Sequence, residues 1–255
     1  MSIGHIISIS NQKGGVGKTT TAVNLSASIA AGEKKCLLVD CDPQGNATTG
    51  LGIEPADLEQ GLYDLLMGNI SSEEAVTETL LPRLHLIGAT RDMIGAEVEL
   101  VTMEKKEFRL LKAISPLREK YDYIFLDCPP SLGFLTVNAL TAAESVLIPL
   151  QCEYYALEGL TQLLMTGKAI KKGLNPTLRL ADILLTMYDG RNNLSRQVED
   201  EARSLFKERV FETVIPRNVR LSEAPSFGKP VLLYDIRSKG AQSYLSLAKE
   251  LIGRG

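Results

Sequence analysis

Short, continuous apolar runs alternate along this chain with longer stretches of helical periodicity. The runs Ile6–Ser10, Cys36–Asp40, Leu84–Ile87, Tyr123–Asp127, Val146–Leu150, Ile183–Thr186 and Val214–Pro216 predict strands. Most are apolar at nearly every position, which suits parallel strands covered on both faces. Between them, Thr19–Ala31, Lys106–Ser115, Leu135–Ala142, Leu157–Lys171, Leu194–Lys207 and Ala241–Leu251 predict helices. Leu157, Leu160, Leu163 and Leu164 share one helical face, as core packing requires. Strand, helix, strand order implies right-handed crossovers, so the predicted fold is α/β: a doubly wound, mostly parallel sheet flanked by helices. No internal repeat, low-complexity tract or long linker divides the chain, and residues 1–255 are expected to form a single domain.

The polar residues that stand out end or follow strand runs: Lys13, Asp40, Asp42, Asp127 and Asn218. Ligands of open α/β sheets bind at the carboxyl ends of the strands, so one shared site is expected. Its centre is the loop Lys13-Gly14-Gly15-Val16-Gly17-Lys18-Thr19-Thr20. The loop fits G-x-x-x-x-G-K-[ST] with the first glycine slot relaxed to Gln12, and it lies between a strand run and a helix start. Such a loop offers backbone N–H groups to phosphate oxygens, assisted by the helix N-terminus. Lys18 is expected to reach the β- and γ-phosphates, Thr19 to supply a hydroxyl to Mg²⁺, and Thr20 to add a hydroxyl to the cradle.

Asp127 closes an apolar run, where an acid can hold the Mg²⁺ shell; on its own it would serve equally as a helix N-cap. The following Cys128-Pro129-Pro130-Ser131-Leu132-Gly133 suits a loop that senses a γ-phosphate. Asp40 and Asp42, two apart on an extended segment, are expected to point the same way, toward the attacking water. The bland alternative for them is a solvated turn. Lys13 would repel Lys18 on a shared phosphate. It either points outward across an interface to a nucleotide on another subunit or is an exposed lysine without a role, and the loop alone leaves these readings even.

Composition narrows the field. Hydrophobic residues make up 44% of the chain and the net charge is −3, so any nucleic-acid contact must use a local patch. Arg217–Lys239 is such a patch, with five basic and two acidic residues; at +3 it leaves −6 for the remainder. The four cysteines show no C-x-x-C spacing and read as buried thiols; His5 and His85 read as structural. There is no basic, small-residue leader and no apolar run long enough for a membrane span, which predicts a cytoplasmic protein.

The loop and the blocks Asp40–Gly50, Asp127–Gly133, Gln151–Gly159, Thr186–Arg191 and Ile215–Lys229 resemble the deviant Walker A ATPases, and among them the ParA/Soj chromosome-partitioning family. The resemblance implies a P-loop ATPase that uses ATP and Mg²⁺, slow alone and stimulated by a ParB-type centromere-binding partner. It implies a homodimer sandwiching ATP, with Lys13 crossing the interface, Asp42 required for hydrolysis and Asp127 as the Walker B acid. Asp127 and Asp42 would reach the metal through water. Gly14, Gly15, Val16 and Gly17 would cradle the phosphates, and Pro216 and Asn218 would contact adenine. Arg191 and Arg220 would touch double-stranded DNA without sequence preference, on the nucleoid. The first strand run begins near Met1, so specific operator binding is not expected.

Other readings remain. A membrane-positioning ATPase of the MinD type needs a basic amphipathic last helix, but Ala241–Leu251 has Lys249 as its only basic residue, and its apolar positions suit packing. Stable membrane binding is therefore not expected. A redox protein like the nitrogenase iron protein needs cluster cysteines, and the neighbours of Cys128 and Cys152 do not match that pattern. A metabolic kinase fits the loop, but no second substrate pocket is legible.

Overall fold

The apolar runs fold into strands β1 (His5–Ile9), β2 (Cys36–Asp40), β3 (Thr77–Glu78), β4 (Leu84–Ile87), β5 (Tyr123–Asp127), β6 (Ser145–Gln151) and β7 (Arg179–Thr186). In this computed structural model they form one sheet of order β3-β4-β2-β5-β1-β6-β7, parallel throughout except where β3 meets β4. The structure describes residues 3–153 and 156–254. Tyr154, Tyr155 and the side chain of Leu157, used in the sequence reading, lie outside the described residues.

The helices are α1 (Lys18–Ala31), α2 (Asn46–Gly50), α3 (Leu62–Met67), α4 (Met93–Leu100), α5 (Arg109–Ile114), α6 (Phe134–Ala142), α7 (Ala156–Gly173), α8 (Asn193–Phe206), α9 (Val219–Glu223), α10 (Val231–Tyr234) and α11 (Lys239–Arg254). Alternation along the buried strands sorts them into two layers. Ile6, Ile124 and Leu126 pack with α3 to α8, whereas Ile7, Ile9 and Phe125 pack with α1, α2 and α9 to α11. Helix α1 is buried along most of its length against the sheet and α11, where the Thr21 and Tyr244 hydroxyls meet at 3.1 Å.

Two expectations need correction. Val214–Pro216 is not a strand: Ile215 donates to Leu185 O and accepts from Tyr188 N, but pairing goes no further than isolated bridges. Pro216 has no N–H with which to extend a ladder. The helix expected over Lys106–Ser115 is α-helical only at Arg109–Ile114, between 3₁₀ turns at Lys106–Phe108 and Ser115–Glu119. Pro116 opens the second turn, and a proline ring inside an α-helix removes a hydrogen bond and clashes with the preceding turn.

The segment after β2 is anchored by a backbone-to-backbone approach. Gly52 and Gly228 have φ of 83° and 59°, and a Cβ on Gly52 would lie 2.7 Å from the Gly228 carbonyl oxygen. Gly52→Ala is therefore expected to lower stability by about 2 kcal/mol or more, from the left-handed penalty and the clash together. Gly173→Ala, at a position with open space around it, is the control and should not destabilise. Urea unfolding of the two variants checks this.

Candidate functional site

The loop after β1 reaches its shape through two glycines in the left-handed region, Gly15 (φ 73°) and Gly17 (φ 91°), the latter capping α1. A side chain would strain either position. The loop is held from both sides. Thr186 at the end of β7 donates to the Val16 carbonyl at 2.8 Å, and Asn11 donates to Pro149 O at 2.8 Å while accepting from Lys13 N at 3.0 Å. Sequence reasoning missed both Asn11 and the specific task of Thr186. Neither residue forms a recognisable motif, and their role appears only when β6 and β7 close on the loop.

The two lysines of the loop part company. Lys18 is 7% exposed, and its ammonium donates to Lys13 O at 3.1 Å. Burial pulls its pKa down, opposed chiefly by the charge of Asp127. The Lys13 ammonium instead leaves the loop and pairs with Glu153 at 2.8 Å, with its side chain 39% exposed. Glu153, in the segment after β6, is a further residue to which the sequence reading gave no role. The hydrogen bond from Lys13 holds its carboxylate pKa low.

Three acids gather at the ends of β2 and β5. Asp127 is fully buried, and neither carboxylate oxygen has a hydrogen-bond partner. Burial, then the charge of Asp40, pushes its pKa well above the usual carboxylate range; Thr19 and Lys18 act in the opposite sense. Asp40 corrects the expectation that both Asp40 and Asp42 face the site. Its Oδ2 accepts from Thr48 N at 2.8 Å and Thr48 Oγ1 at 2.7 Å, and its Oδ1 from Asp42 N at 3.2 Å. It fixes the turn into α2, and burial raises its pKa to about 6 against the pull of Thr48. Asp42 is 8% exposed and accepts from Gln44 N at 3.0 Å; the following turn uses Gly45 at φ 65°.

No group of three or more His, Cys, Asp or Glu among the described residues could hold a metal ion. A cation such as Mg²⁺ is ordinarily bound by one or two protein groups, water and substrate phosphates. The buried carboxylate of Asp127, beside Thr19 and Lys18 and without a close hydrogen bond, is the group here whose chemistry fits such an ion.

A cavity of 560 Å³ runs from Gly17 and Thr20 past Thr186 and Ile215 to Pro216 and Asn218. It thus joins the glycine loop to the two residues expected to meet a base. Asn218 also caps α9, accepting from Arg220 N at 3.0 Å. The arginines expected to touch DNA are both engaged. Arg191, with its side chain 92% exposed, forms a two-point pair with Asp189 at 3.0 and 2.8 Å. Arg220 pairs with Glu223 at 2.7 Å and Asp235 at 3.4 Å. Those are both acids of the basic segment; among the described residues Arg217, Lys229, Arg237 and Lys239 form no direct ion pair, and Arg217 acts at longer range on Glu153 and Asp189. As expected, the four cysteines are free and buried, His5 meets Glu144 and His85 meets Tyr121.

The chain is similar to known proteins in sequence and in fold. A family model described as an AAA domain matches residues 4–180. The chain is 58% identical to the chromosome partitioning protein ParA of Myxococcus xanthus over 99% of its own length and 89% of the relative's. It is 56% identical to the sporulation initiation inhibitor protein Soj of Bacillus subtilis, covering 99% of this chain and all (100%) of that one. Among solved structures, cobyrinic acid a,c-diamide synthase from Mycobacterium smegmatis with bound ADP and magnesium superposes with a TM-score of 0.86 at 35% identity, over 98% and 94% of the two chains.

The buried carboxylate of Asp127 costs stability. Because its folded pKa is raised, Asp127 destabilises the ligand-free protein increasingly as pH rises above the ordinary value of 3.8. Asp127→Asn should therefore unfold about 1–3 kcal/mol later than wild type near neutral pH without metal or nucleotide. The advantage should shrink as pH falls. Thermal melts across pH, with the metal chelated, check both statements.

Proposed function

The chain belongs to the ParA/Soj family of chromosome-partitioning ATPases, and we propose that it works as a nucleotide switch whose ATP-bound homodimer holds DNA. What best supports the reading is that the two lysines of one loop separate, Lys18 buried and Lys13 reaching outward to Glu153. A loop serving one nucleotide needs only the first. The second is explained by a nucleotide held by another copy of the chain.

In this reading residues 1–255 act as one unit that takes ATP and Mg²⁺. Backbone N–H groups of Gly14, Gly15, Val16 and Gly17 hold the phosphates, with Lys18 and Thr20 beside them. The cavity ending at Pro216 and Asn218 holds the base. Thr19 would hold Mg²⁺ directly and Asp127 and Asp42 through water; when bound, the ion neutralises phosphate charge. Asp42 positions the attacking water and accepts its proton in a pocket already narrowed by burial. Lys13 of the second copy places a cation where charge builds up in phosphoryl transfer; a residue supplied in this way contributes about 10³–10⁵ in rate in related systems. To do so it must exchange Glu153 for phosphate. The present ion pair is half exposed, so the exchange costs little.

DNA is held by the surface around Arg191 and Arg220 together with Arg217, Lys229, Arg237 and Lys239, which form no direct ion pair among the described residues. The paired acids release Arg220 cheaply, since all these groups are exposed to solvent screening. Each copy offers a modest patch, and dimerisation doubles it by effective concentration, which makes DNA binding follow ATP. Hydrolysis, accelerated by a ParB-type partner, returns monomers and frees the nucleoid. The membrane-positioning alternative has less support: Tyr244, Leu247, Ala248 and Leu251 of α11 are buried rather than displayed. No helix among the described residues is long and apolar enough to cross a membrane.

Binding to a non-specific duplex, measured with ATP, ADP and no nucleotide, is expected to be strong only with ATP and to fall steeply with salt. Arg220→Glu should weaken it while leaving ATP binding intact. Equal binding in all three nucleotide conditions excludes the switch. Asp42→Ala should still bind ATP and dimerise but turn over about 10²-fold more slowly or worse. Normal turnover in that variant removes Asp42 from the reaction.

A further inference from the structure

A second cavity lies at the opposite end of the sheet from the glycine loop. Arg179, in its lining, opens β7, and Thr186, which holds the loop, closes that strand. The cavity has a volume of 730 Å³, within the range of roughly 300–1,000 Å³ that takes small organic ligands. It forms where the last turns of α7, the start of β7 and the end of α8 meet. Helix α7 comes close to β7 there because residue 167 is glycine: a Cβ would stand 2.5 Å from Leu180 Cδ2. One wall is apolar. Leu164, Leu180 and Phe206 pack partly buried against the core, and Leu205 is 61% exposed.

The rest of the lining is cationic. Lys168, Lys171, Arg179, Lys207 and Arg209 stand against two acids, Asp182 and Glu208, which leaves a surplus of three positive charges. From Lys168 to Arg179 the chain carries four cations and no acid. The α8 side is mixed: Asp200, Glu201 and Arg203 precede the cavity, and Arg203 is paired with Glu199. The charges that act on Asp182 are those of Arg254, Arg179 and Arg209, and Arg209 also donates to the Leu180 carbonyl. The three lysines and Glu208 form no direct ion pair among the described residues. Lys207 is held at φ 51°, a strained conformation for a residue with a side chain, and such strain gathers where a ligand is clamped.

We propose that this cavity binds a small, soluble organic diphosphate, with its apolar portion against Leu164, Leu180 and Phe206 and its phosphates among Lys168, Lys171 and Lys207. Charge selects the two phosphates. A phosphate monoester carries about −1.5 to −2 at neutral pH, short of the surplus of three, and a second phosphate closes the gap. The wall selects the apolar portion, since burying it there removes apolar surface from water on both sides. Duplex DNA fits less well: its phosphates could meet the lysines, but its base faces are stacked inside and offer nothing to the wall. The site is separate from the nucleotide site and does not depend on the functional reading above.

The probe is geranyl diphosphate, titrated by calorimetry into the chain already saturated with ADP and Mg²⁺, so that the glycine loop is filled. Wild type should bind it at least about tenfold more tightly than it binds geraniol or inorganic pyrophosphate, each of which lacks one half of the match. Lys168→Glu combined with Lys171→Glu should weaken it by about tenfold or more; both are exposed helix positions, so the fold is kept. Leu205→Ser should weaken geranyl diphosphate and leave pyrophosphate unchanged. Lys112→Glu, at an exposed cation of α5, should change neither. Absence of binding to wild type, or equal affinity for wild type and the double variant, overturns the proposal. So does pyrophosphate binding as tightly as geranyl diphosphate, which would reduce the cavity to a patch of charge. Release of ADP by the probe would place it in the glycine loop, and displacement of the probe by duplex DNA would assign the lysines to nucleic acid; either result contradicts the site. Sedimentation of the chain with anionic phospholipid vesicles, lost in the double variant, would assign the lysines to a membrane and overturn it as well.

Discussion

The register of three adjacent strands decides where every charged group of the site stands. Asp127 pairs across the sheet with Asp40 on one side and Ile9 on the other, so β2, β5 and β1 end level. Because strand side chains alternate, a slip of one residue in β5 would turn Asp127 to the opposite layer. It would also turn Phe125, which is fully buried in the layer that holds α1, into the wrong core. Apolar packing along the strand therefore fixes the position of a charge at its end. The chain needs no polar network to hold Asp127 in place, and it leaves the carboxylate without a partner.

That arrangement divides labour between neighbouring acids. Asp40 and Asp127 both end central strands and are both fully buried, yet they are treated oppositely. Asp40 is satisfied by three donors and shapes the turn that carries Asp42. Asp127 has no close hydrogen bond, and only the Thr19 hydroxyl acts on it as a donor. A buried carboxylate with so little hydrogen bonding is costly, and its place beside a phosphate-type loop, a threonine hydroxyl and a buried lysine is what supports the proposed Mg²⁺ role. The same division separates Lys18 from Lys13. One is pinned inside its own loop, and the other is held by a solvent-exposed pair that is easily exchanged.

Much of this was legible in the chain. Apolar runs located β2, β4 and β5 to the residue, because strands covered on both faces are apolar at nearly every position. The glycine loop was legible because its backbone requires residues without a Cβ at Gly15 and Gly17. Short elements were not: β3 has two residues and α10 four, too few to show a period. Nor was the second ring of partners legible. Glu153, Asn11, Thr186 and Thr48 act through contacts across the fold, and no local pattern distinguishes them from ordinary polar residues. Asp40 illustrates the limit from the other side. Its spacing from Asp42 suggested a shared direction, and the tight turn into α2 overrode it.

The central claim is that Lys13 acts on the nucleotide of a second copy, and trans-complementation tests it most directly. Chains carrying Lys13→Ala are mixed with chains carrying Asp42→Ala, and ATP turnover of the mixture is compared with that of each variant alone. If Lys13 works across the interface, a mixed dimer contains one site with an intact Asp42 and a lysine supplied by the neighbour, so the mixture regains turnover that neither variant has. If Lys13 works within its own chain, every site in the mixture lacks one of the two groups, and a mixture as inactive as its components contradicts the account.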